Sequence, residues 1–543
     1  MLRRREPATQ NLLLAAAPAV YQGGIDGRNR TLLKKIVSVG AWTMVSRLTG
    51  LVRDLVTASI LGAGPLADAF FVAFRLPNHF RAIFGEGAFN AAFVPAYTRL
   101  HEQEGDEAAK LFQGRIVGLL LMAQIVLLVI ALAFMPQVLG LIAPGFGRDD
   151  GRYDLAVELT RITFPYLAFI TLATLYGAVL NAHGRFTAAA AAPILLNVTM
   201  VACLLSWHLF PGAGQAAAWG VTISGVLQLF VLMVATRRAG FLAWPRAVRF
   251  TGPVKAFFSA LGPATIGSMG TQVAMFADTI IASLLPTGAV SSLYYADRIY
   301  QLPLGVIGIA AGTVLLPEMS RLIASGKPDA AHAAQNRTIF LTWLMTAPFL
   351  AGFLVVPGLI MQALFVRGAF TAEAATAAAA ALIGYGVGLP AIVLIRSAVA
   401  SFYARGDTKT PLIASFTALG ANLLLKLVLM GPLHQAGLAL ATSIGAWINL
   451  ALLVVLAMRR GAMAPDAILR RRLAAIALAT ALMAITLYFA TGPAGLLAAG
   501  LPRWPLLGQL ALTGLAGGAV YAGVAFVVLR RLGAQASSPA SSS

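Results

Sequence analysis

Positive charge lies where an apolar chain should have none. The run Ser46-Arg47-Leu48-Thr49-Gly50-Leu51-Val52-Arg53-Asp54 sits inside a long hydrophobic stretch. At about 100° per residue on a helix, Arg47 and Asp54 share nearly one face two turns apart. Arg53 is turned away by about 120° unless Gly50 bends the helix. Arg75, Arg81, Arg298, Arg396 and Lys426 fall within further apolar segments, as do Asp68, Glu86, Asp278 and Asp297. A charge at bilayer depth costs roughly 2.5–3.5 kcal/mol even on a forgiving insertion scale. Seven such cations facing lipid would cost about 20 kcal/mol, more than a folded protein's net stability. They must therefore face a wet cavity or one another. Arg75 and Arg396, nearer the ends of their segments, fit snorkelling to the interface equally well.

Guanidinium groups bind phosphate oxygens in a bidentate manner. Arg47, Arg53, Arg81 and Arg298 thus point to an anionic guest carrying phosphate or pyrophosphate. The competing reading makes each arginine a strut or gate paired with a carboxylate. Arg53-Asp54 and Asp297-Arg298 are sequence neighbours, so both readings apply there. Asp278 and Lys426, with Asn422 one turn before the lysine and Thr442 beyond it, form a second candidate cluster. Its favoured reading is a buried ion pair that fixes packing; the alternative is a cation or proton site. The single cysteine, Cys203, and six scattered histidines suggest neither disulfides nor a metal centre. There is no phosphate-binding glycine loop, nucleotide motif or catalytic triad. The chain is expected to need no cofactor.

The elements that must hold these charges follow from composition. Of 543 residues, 59% are hydrophobic and only 11% charged, against about 25% charged in soluble domains. This implies an all-α, polytopic membrane protein. Fourteen apolar segments are long enough to span: 36–61, 65–95, 114–140, 157–181, 188–210, 216–236, 254–285, 292–320, 338–364, 373–403, 411–431, 436–458, 468–491 and 506–529. The second should bend around Pro77 and Gly85-Glu86-Gly87. Lys and Arg total 40 against 20 Asp and Glu, a net +20. In a soluble chain that excess would suggest nucleic acid. Here the basic residues crowd alternate loops, which places both termini in the cytoplasm and removes the need for a nucleic-acid partner.

The first twelve spans read as two copies of six. Leu76-Pro77 with Pro95, Arg99 and Leu100 recurs as Leu302-Pro303 with Pro317, Arg321 and Leu322. Asn181-Ala182-His183-Gly184-Arg185 recurs as Tyr403-Ala404-Arg405-Gly406-Asp407. Copies with an even number of spans have the same orientation, as in transporters built from parallel repeats around a central cavity. The expected organisation is a basic, irregular arm over 1–30, a first lobe over 31–240 and a second over 241–460. Two extra helices follow over 461–531, then a disordered tail over 532–543. A cleaved signal peptide is not expected, since the first span can itself direct insertion.

Several longer motifs then resemble one family. These are Ser46-Arg47 through Arg53-Asp54, Gly62-Ala63-Gly64-Pro65 through Asp68-Ala69-Phe70-Phe71-Val72-Ala73-Phe74, Leu76-Pro77-Asn78, and Gly85-Glu86-Gly87-Ala88-Phe89. Ala143-Pro144-Gly145-Phe146, Tyr294-Tyr295-Ala296-Asp297-Arg298 and Asp407-Thr408-Lys409-Thr410-Pro411 follow in order. The chain from about Leu32 to the last span resembles the MurJ/MviN lipid II flippases, within the multidrug/oligosaccharidyl-lipid/polysaccharide exporter superfamily. The resemblance implies two six-helix lobes around a cavity, plus two helices forming a hydrophobic groove for the lipid tail. It implies lipid II, an undecaprenyl-pyrophosphate-linked disaccharide pentapeptide, moved from the cytoplasmic to the periplasmic leaflet of the bacterial inner membrane by alternating access. Arg47, Arg53, Arg81 and Arg298 would contact the diphosphate. Ser46, Asp54, Asp68, Asn78, Glu86 and Asp297 would support the cavity or its gates. Membrane lipids and other cell-wall synthesis and division proteins are the further partners implied. The chain departs from the pattern at Gln301, where an acidic residue is common, and at Lys426, where some members resemble sodium-site proteins with an acidic ligand. Export of another polyprenyl-linked saccharide, multidrug or cation antiport, and a non-transporting scaffold are the rival functions.

Overall fold

The computed structural model describes residues 20–84, 88–149, 151–500 and 505–537, and among these the regular structure is helical. The first lobe comprises α1 (Val20–Leu61), α2 (Pro65–Phe84), α3 (Ala88–Glu104), α4 (Asp106–Ala133), α5 (Met135–Ile142), α6 (Arg152–Thr163), α7 (Tyr166–Ala182), α8 (Thr187–Leu205) and α9 (Ala213–Arg238). The second comprises α10 (Gly252–Ser283), α11 (Ala289–Ala324), α12 (Pro328–Val355), α13 (Pro357–Phe365), α14 (Ala372–Tyr403) and α15 (Lys409–Arg459). The last two helices are α16 (Ala467–Ala498) and α17 (Pro505–Ser537).

Each of the fourteen expected spans lies on helix, though not always on one helix. The spans over 114–140, 157–181 and 338–364 are each broken, at Phe134, Phe164-Pro165 and Val356. A proline stands at the break or opens the following helix in each case: Pro136, Pro165 and Pro357. There its missing N–H costs nothing. The span over 65–95 is two helices flanking 85–87, which lie outside the described residues, and α2 runs through Pro77 without interruption. Conversely, α15 joins two expected spans across a kink at His434, whose φ of 47° is left-handed, two residues after Pro432. Among the described residues, nine helical segments are long and apolar enough to cross a bilayer.

Both chain ends correct the expected boundaries. Helix α1 begins at Val20, so residues 20–30 are helical rather than an irregular arm. No proline follows Pro18 within that helix, and nothing else in the segment forces a break. Helix α17 likewise runs to Ser537, well into the expected disordered tail. Residues 1–19 and 538–543 lie outside the described residues.

The lobes meet at both ends of the bundle. At the end away from the basic loops the seal is polar. Buried Asp68 of α2 accepts from the backbone N–H groups of Gly288 (2.7 Å) and Ser291 (2.8 Å) and from the Ser291 hydroxyl (2.7 Å) at the N-terminus of α11. Tyr295 donates to the Gly62 carbonyl (3.1 Å), and Ala369 N–H to the Ser59 carbonyl (2.8 Å). Gly288, at φ 88°, turns the chain so that N–H groups at the start of α11 face one carboxylate. At the basic end the contact is aromatic: Phe257 of α10 packs edge-on to Phe89, Phe93 and Phe112 of the first lobe. Helices α16 and α17 pack on the second lobe. Ile476, Ala479, Met483 and Tyr521 bury against Ala347 and Ala351 of α12, and the Tyr521 hydroxyl donates to the Leu344 carbonyl (2.8 Å).

Candidate functional site

Between the lobes lie two adjoining chambers. The first, about 660 Å³, is bounded by α1, α2, α3, α7, α8, α9 and α11. All four arginines singled out from sequence, Arg47, Arg53, Arg81 and Arg298, line it, with Ser46 and Asp54. The lining positions of α1, from Arg53 around to Leu51, span an arc of about 160° at 100° per residue. Arg47 and Arg53 therefore reach one chamber from positions about 120° apart. The second chamber, about 520 Å³, shares Arg53, Arg81, Arg298 and Gln301 with the first. It adds Arg75, Asn78, Asp278, Asp297, Lys426 and Thr442. Arg75 thus faces the cavity instead of reaching for the interface, its guanidinium 5.9 Å from the Tyr294 ring.

The arginines differ in how far the protein has already satisfied them. Arg53 is buried. Its Nε and Nη2 donate to Asp54 Oδ1 (3.0 and 2.7 Å), Nη1 to Asn197 Oδ1 (3.1 Å) and Nη2 to the Tyr294 hydroxyl (3.2 Å). Arg298, one-third exposed, stands 4.0 Å from Asp54 and 3.9 Å from Asp297, with its guanidinium 4.6 Å above the Tyr294 ring. Its Nε has no hydrogen-bond partner among the described residues, and the same holds for Gln228 Nε2 and Asn90 Oδ1 in the first chamber. Arg47 makes no ion pair among the described residues. Its guanidinium lies directly against Gly305 of α11, in the space a side chain there would fill. The two chambers together hold six cations (Arg47, Arg53, Arg75, Arg81, Arg298, Lys426) and three carboxylates (Asp54, Asp278, Asp297). The surplus is basic, and five of its six cations are guanidinium groups.

The remaining sequence candidates divide. Asp278 and Lys426 form an ion pair between α10 and α15; the lysine is 3% exposed and the aspartate 44%. Thr442 lines the same chamber, its hydroxyl donating to the Leu438 carbonyl (3.0 Å). Asn422 turns aside: its amide donates to the Ala441 carbonyl (3.1 Å) and bridges the two halves of α15. Asn78 lines the second chamber and donates to the Phe74 carbonyl (2.8 Å). Asp297 accepts from Gln301 one turn along α11. Asp68 lies in the polar seal, away from both chambers. Glu86 lies outside the described residues.

Two residues that organise the site were missed from sequence. Asn197 of α8 accepts from Arg53 and donates to the Ser46 carbonyl and Thr49 hydroxyl, both at 3.0 Å. Tyr294 stacks on Phe71 of α2 at 3.8 Å, so its hydroxyl is held where it bonds both Arg53 and Asp54. The available signals were a lone amide within Ile194-Leu195-Leu196-Asn197-Val198 and a tyrosine four residues before Arg298.

A family model described as lipid II flippase MurJ matches residues 57–493 of this chain. A protein of Rhizobium meliloti (strain 1021), named probable lipid II flippase MurJ, is 41% identical over 465 residues, covering 85% of this chain and 87% of that one. A namesake from Rhizobium tropici is 38% identical over 505 residues, covering 92% and 94%. A solved structure titled lipid II flippase MurJ, inward closed conformation, superposes with a TM-score of 0.75 at 24% identity, covering 91% of this chain and 99% of that one.

Proposed function

This chain belongs to the lipid II flippase MurJ family, and from that membership we propose that its basic chambers are the diphosphate site through which lipid II changes leaflets. Lipid II flipping is its function, performed as a multi-pass protein of the bacterial inner membrane. The supporting observation is the convergence of Arg47, Arg53, Arg81 and Arg298 on one cavity in which cations outnumber carboxylates. A diphosphate diester is a dianion with oxygens suited to bidentate guanidinium contact. A cation antiporter would need the opposite charge balance.

The transport involves no covalent change. The headgroup enters from the end bearing the basic loops, which the loop asymmetry assigns to the cytoplasm together with both termini. Asp68 and the N-terminus of α11 then form the periplasmic gate, closed in this structure. The polyprenyl tail stays in lipid along an apolar groove of about 470 Å³, where Trp343, Leu350 and Leu354 of α12 face Leu473, Ile476 and Ala484 of α16. Coupling follows from charge: an inside-negative potential favours outward movement of an anion and inward return of a cationic empty cavity, on a scale of roughly 2.3 kcal/mol per charge per 100 mV.

Depletion of the protein in cells lacking any substitute flippase should trap lipid II in the inner leaflet, and Arg53→Ala or Arg298→Ala should fail to restore transfer while inserting normally. Normal appearance of lipid II in the outer leaflet after depletion, or full rescue by both variants, would refute the reading.

A further inference from the structure

Arg396 of α14 has no role in the site described so far. Its side chain is exposed, and among the described residues it makes no ion pair and no side-chain hydrogen bond. It does not stretch away from its neighbours as a snorkelling chain would. It lies flat on α11: a methyl group at Gly308 would sit 3.3 Å from its Nε, and one at Gly312 would sit 3.6 Å from its Cδ.

The position of that seat is informative. Arg298 and Gln301 of α11 line the chambers. Residues seven apart on a helix lie within about 20° of one another. Gly305 and Gly312 therefore continue the face of Arg298, and Gly308 continues that of Gln301. Arg47 of α1 rests at Gly305, and Arg396 of α14 rests at Gly308 and Gly312. One face of α11 thus presents a series of guanidinium groups from three helices, over about 21 Å of helix from Arg298 to Gly312. The series runs toward the basic end of the bundle, where α11 closes on Arg321. The outer two groups, Arg47 and Arg396, lack carboxylate partners among the described residues, whereas Arg298 stands near two.

We propose that Arg396 is a further substrate-positioning residue, the outermost step of a guanidinium ladder along α11 that receives the diphosphate of the polyprenyl-linked substrate before Arg47 and the chamber arginines. This rests on the flippase reading above. A glycine face suits the role because it leaves room for the guanidinium groups to lie against α11.

The experiment measures lipid II transfer in proteoliposomes as a function of lipid II content. Arg396→Ala should raise the half-saturating content by about tenfold, Arg396→Lys should recover part of that loss, and Gly308→Leu, which fills the seat, should reproduce it. A merely structural arginine would lower the maximal rate and leave half-saturation alone; that result overturns the proposal, as does no change in either. Arg298→Ala is the control: if it transfers normally, the flippase reading itself fails. A second measurement does not depend on activity. In a Cys203→Ser background, Arg396→Cys should react with a cationic thiol reagent and be protected by lipid II but not by neutral undecaprenol. A thiol that is unreactive, or equally protected by both, overturns the proposal.

Discussion

Replacing Asp68 by alanine should open the polar gate. The carboxylate is fully buried in this structure and accepts three hydrogen bonds from the start of α11, all between 2.7 and 2.8 Å. Arg152 adds a distant cation at 3.9 Å. Hydrogen bonds to a charged group contribute about 1.5–3 kcal/mol each, and a helix N-terminus adds up to about 2 kcal/mol for a well-placed anion. In the open state water replaces much of this, so the net bias toward closure is about 2–4 kcal/mol. At about 1.4 kcal/mol per decade that is roughly a 30- to 700-fold change in the closed-to-open ratio. Asp68→Asn should shift it less, because one amide oxygen still accepts. The assay is a distance distribution between spin labels at the exposed Pro65 and Pro286, on the two lobes at this end. The native protein should show one short population and Asp68→Ala a dominant long one. An unchanged distribution in a folded Asp68→Ala protein would show that packing of Tyr295 and Phe71, not the carboxylate, holds the gate.

Three further perturbations test other parts of the molecule. Gly305→Ala should abolish or severely reduce lipid II transfer while leaving insertion intact, because its methyl group takes the space of the Arg47 guanidinium; normal transfer would show that Arg47 has another seat. The Asp278–Lys426 pair should respond asymmetrically: Asp278→Asn strands a lysine that is 3% exposed and should cost about 3–5 kcal/mol, whereas Lys426→Met strands a carboxylate that is 44% exposed and should cost well under half of that. Chemical denaturation of the two variants checks the order, and equal losses would contradict it. The third concerns pH. His183, at the end of α7, stacks on Phe241 at 3.5 Å and meets Tyr97, and burial followed by the neighbouring His101 and Arg185 lowers its pKa from 6.5 against the pull of Asp106. Its contribution is complete above about 6.5 and declines as pH falls through that value toward the lower folded one, since the unfolded chain takes the proton first. Melting of the solubilised protein should therefore drop between pH of about 7.5 and 5.5, and His183→Phe should reduce the drop; an equal drop in that variant would exclude His183 as its source.

What the sequence made legible tracks energetic cost. A guanidinium in an apolar helix is expensive enough that it must meet a wet cavity or a counter-charge, so Arg47, Arg53, Arg81 and Arg298 could be grouped from the sequence alone. Asn197 and Tyr294 could not, because a neutral amide or a phenol costs little in such a helix and is common there. The partner of Asp68 was invisible for a different reason: it is mostly backbone, the N–H groups of Gly288 and Ser291, and no side chain advertises them. Prolines were only half legible. Pro77 and Pro303 sit within continuous helices while Pro136 and Pro357 open new ones, and the difference depends on whether neighbouring packing supports the flanking turns. Asn422 shows the limit of spacing arguments. Its position one turn from Lys426 is right for a cluster, yet its amide is taken by a carbonyl across the kink of α15.

The pairing of Arg53 with Asp54 looks at first like an argument against an anion site, since a saturated guanidinium has little left to offer. It is better understood as what makes release possible. A flippase must let go of its cargo, and a cage of bare guanidinium groups would hold a diphosphate too tightly. A guanidinium carries about five N–H donors, and for Arg53 most are already occupied by Asp54, Asn197 and Tyr294. Asp54 also stands 4.0 Å from Arg298, close enough to exchange partners with small side-chain movements. On the proposed reading, a diphosphate arriving at Arg47 and the half-satisfied Arg298 would displace the carboxylate from one arginine toward the other, so that a bond to phosphate replaces one made to Asp54. The same carboxylate would re-form those bonds as the guest leaves, and the empty chamber would return without stranding a buried charge. In that scheme the acidic residues beside the arginines would moderate the affinity, and their adjacency in sequence at Arg53-Asp54 and Asp297-Arg298 keeps a replacement ligand beside two of the chamber's cations.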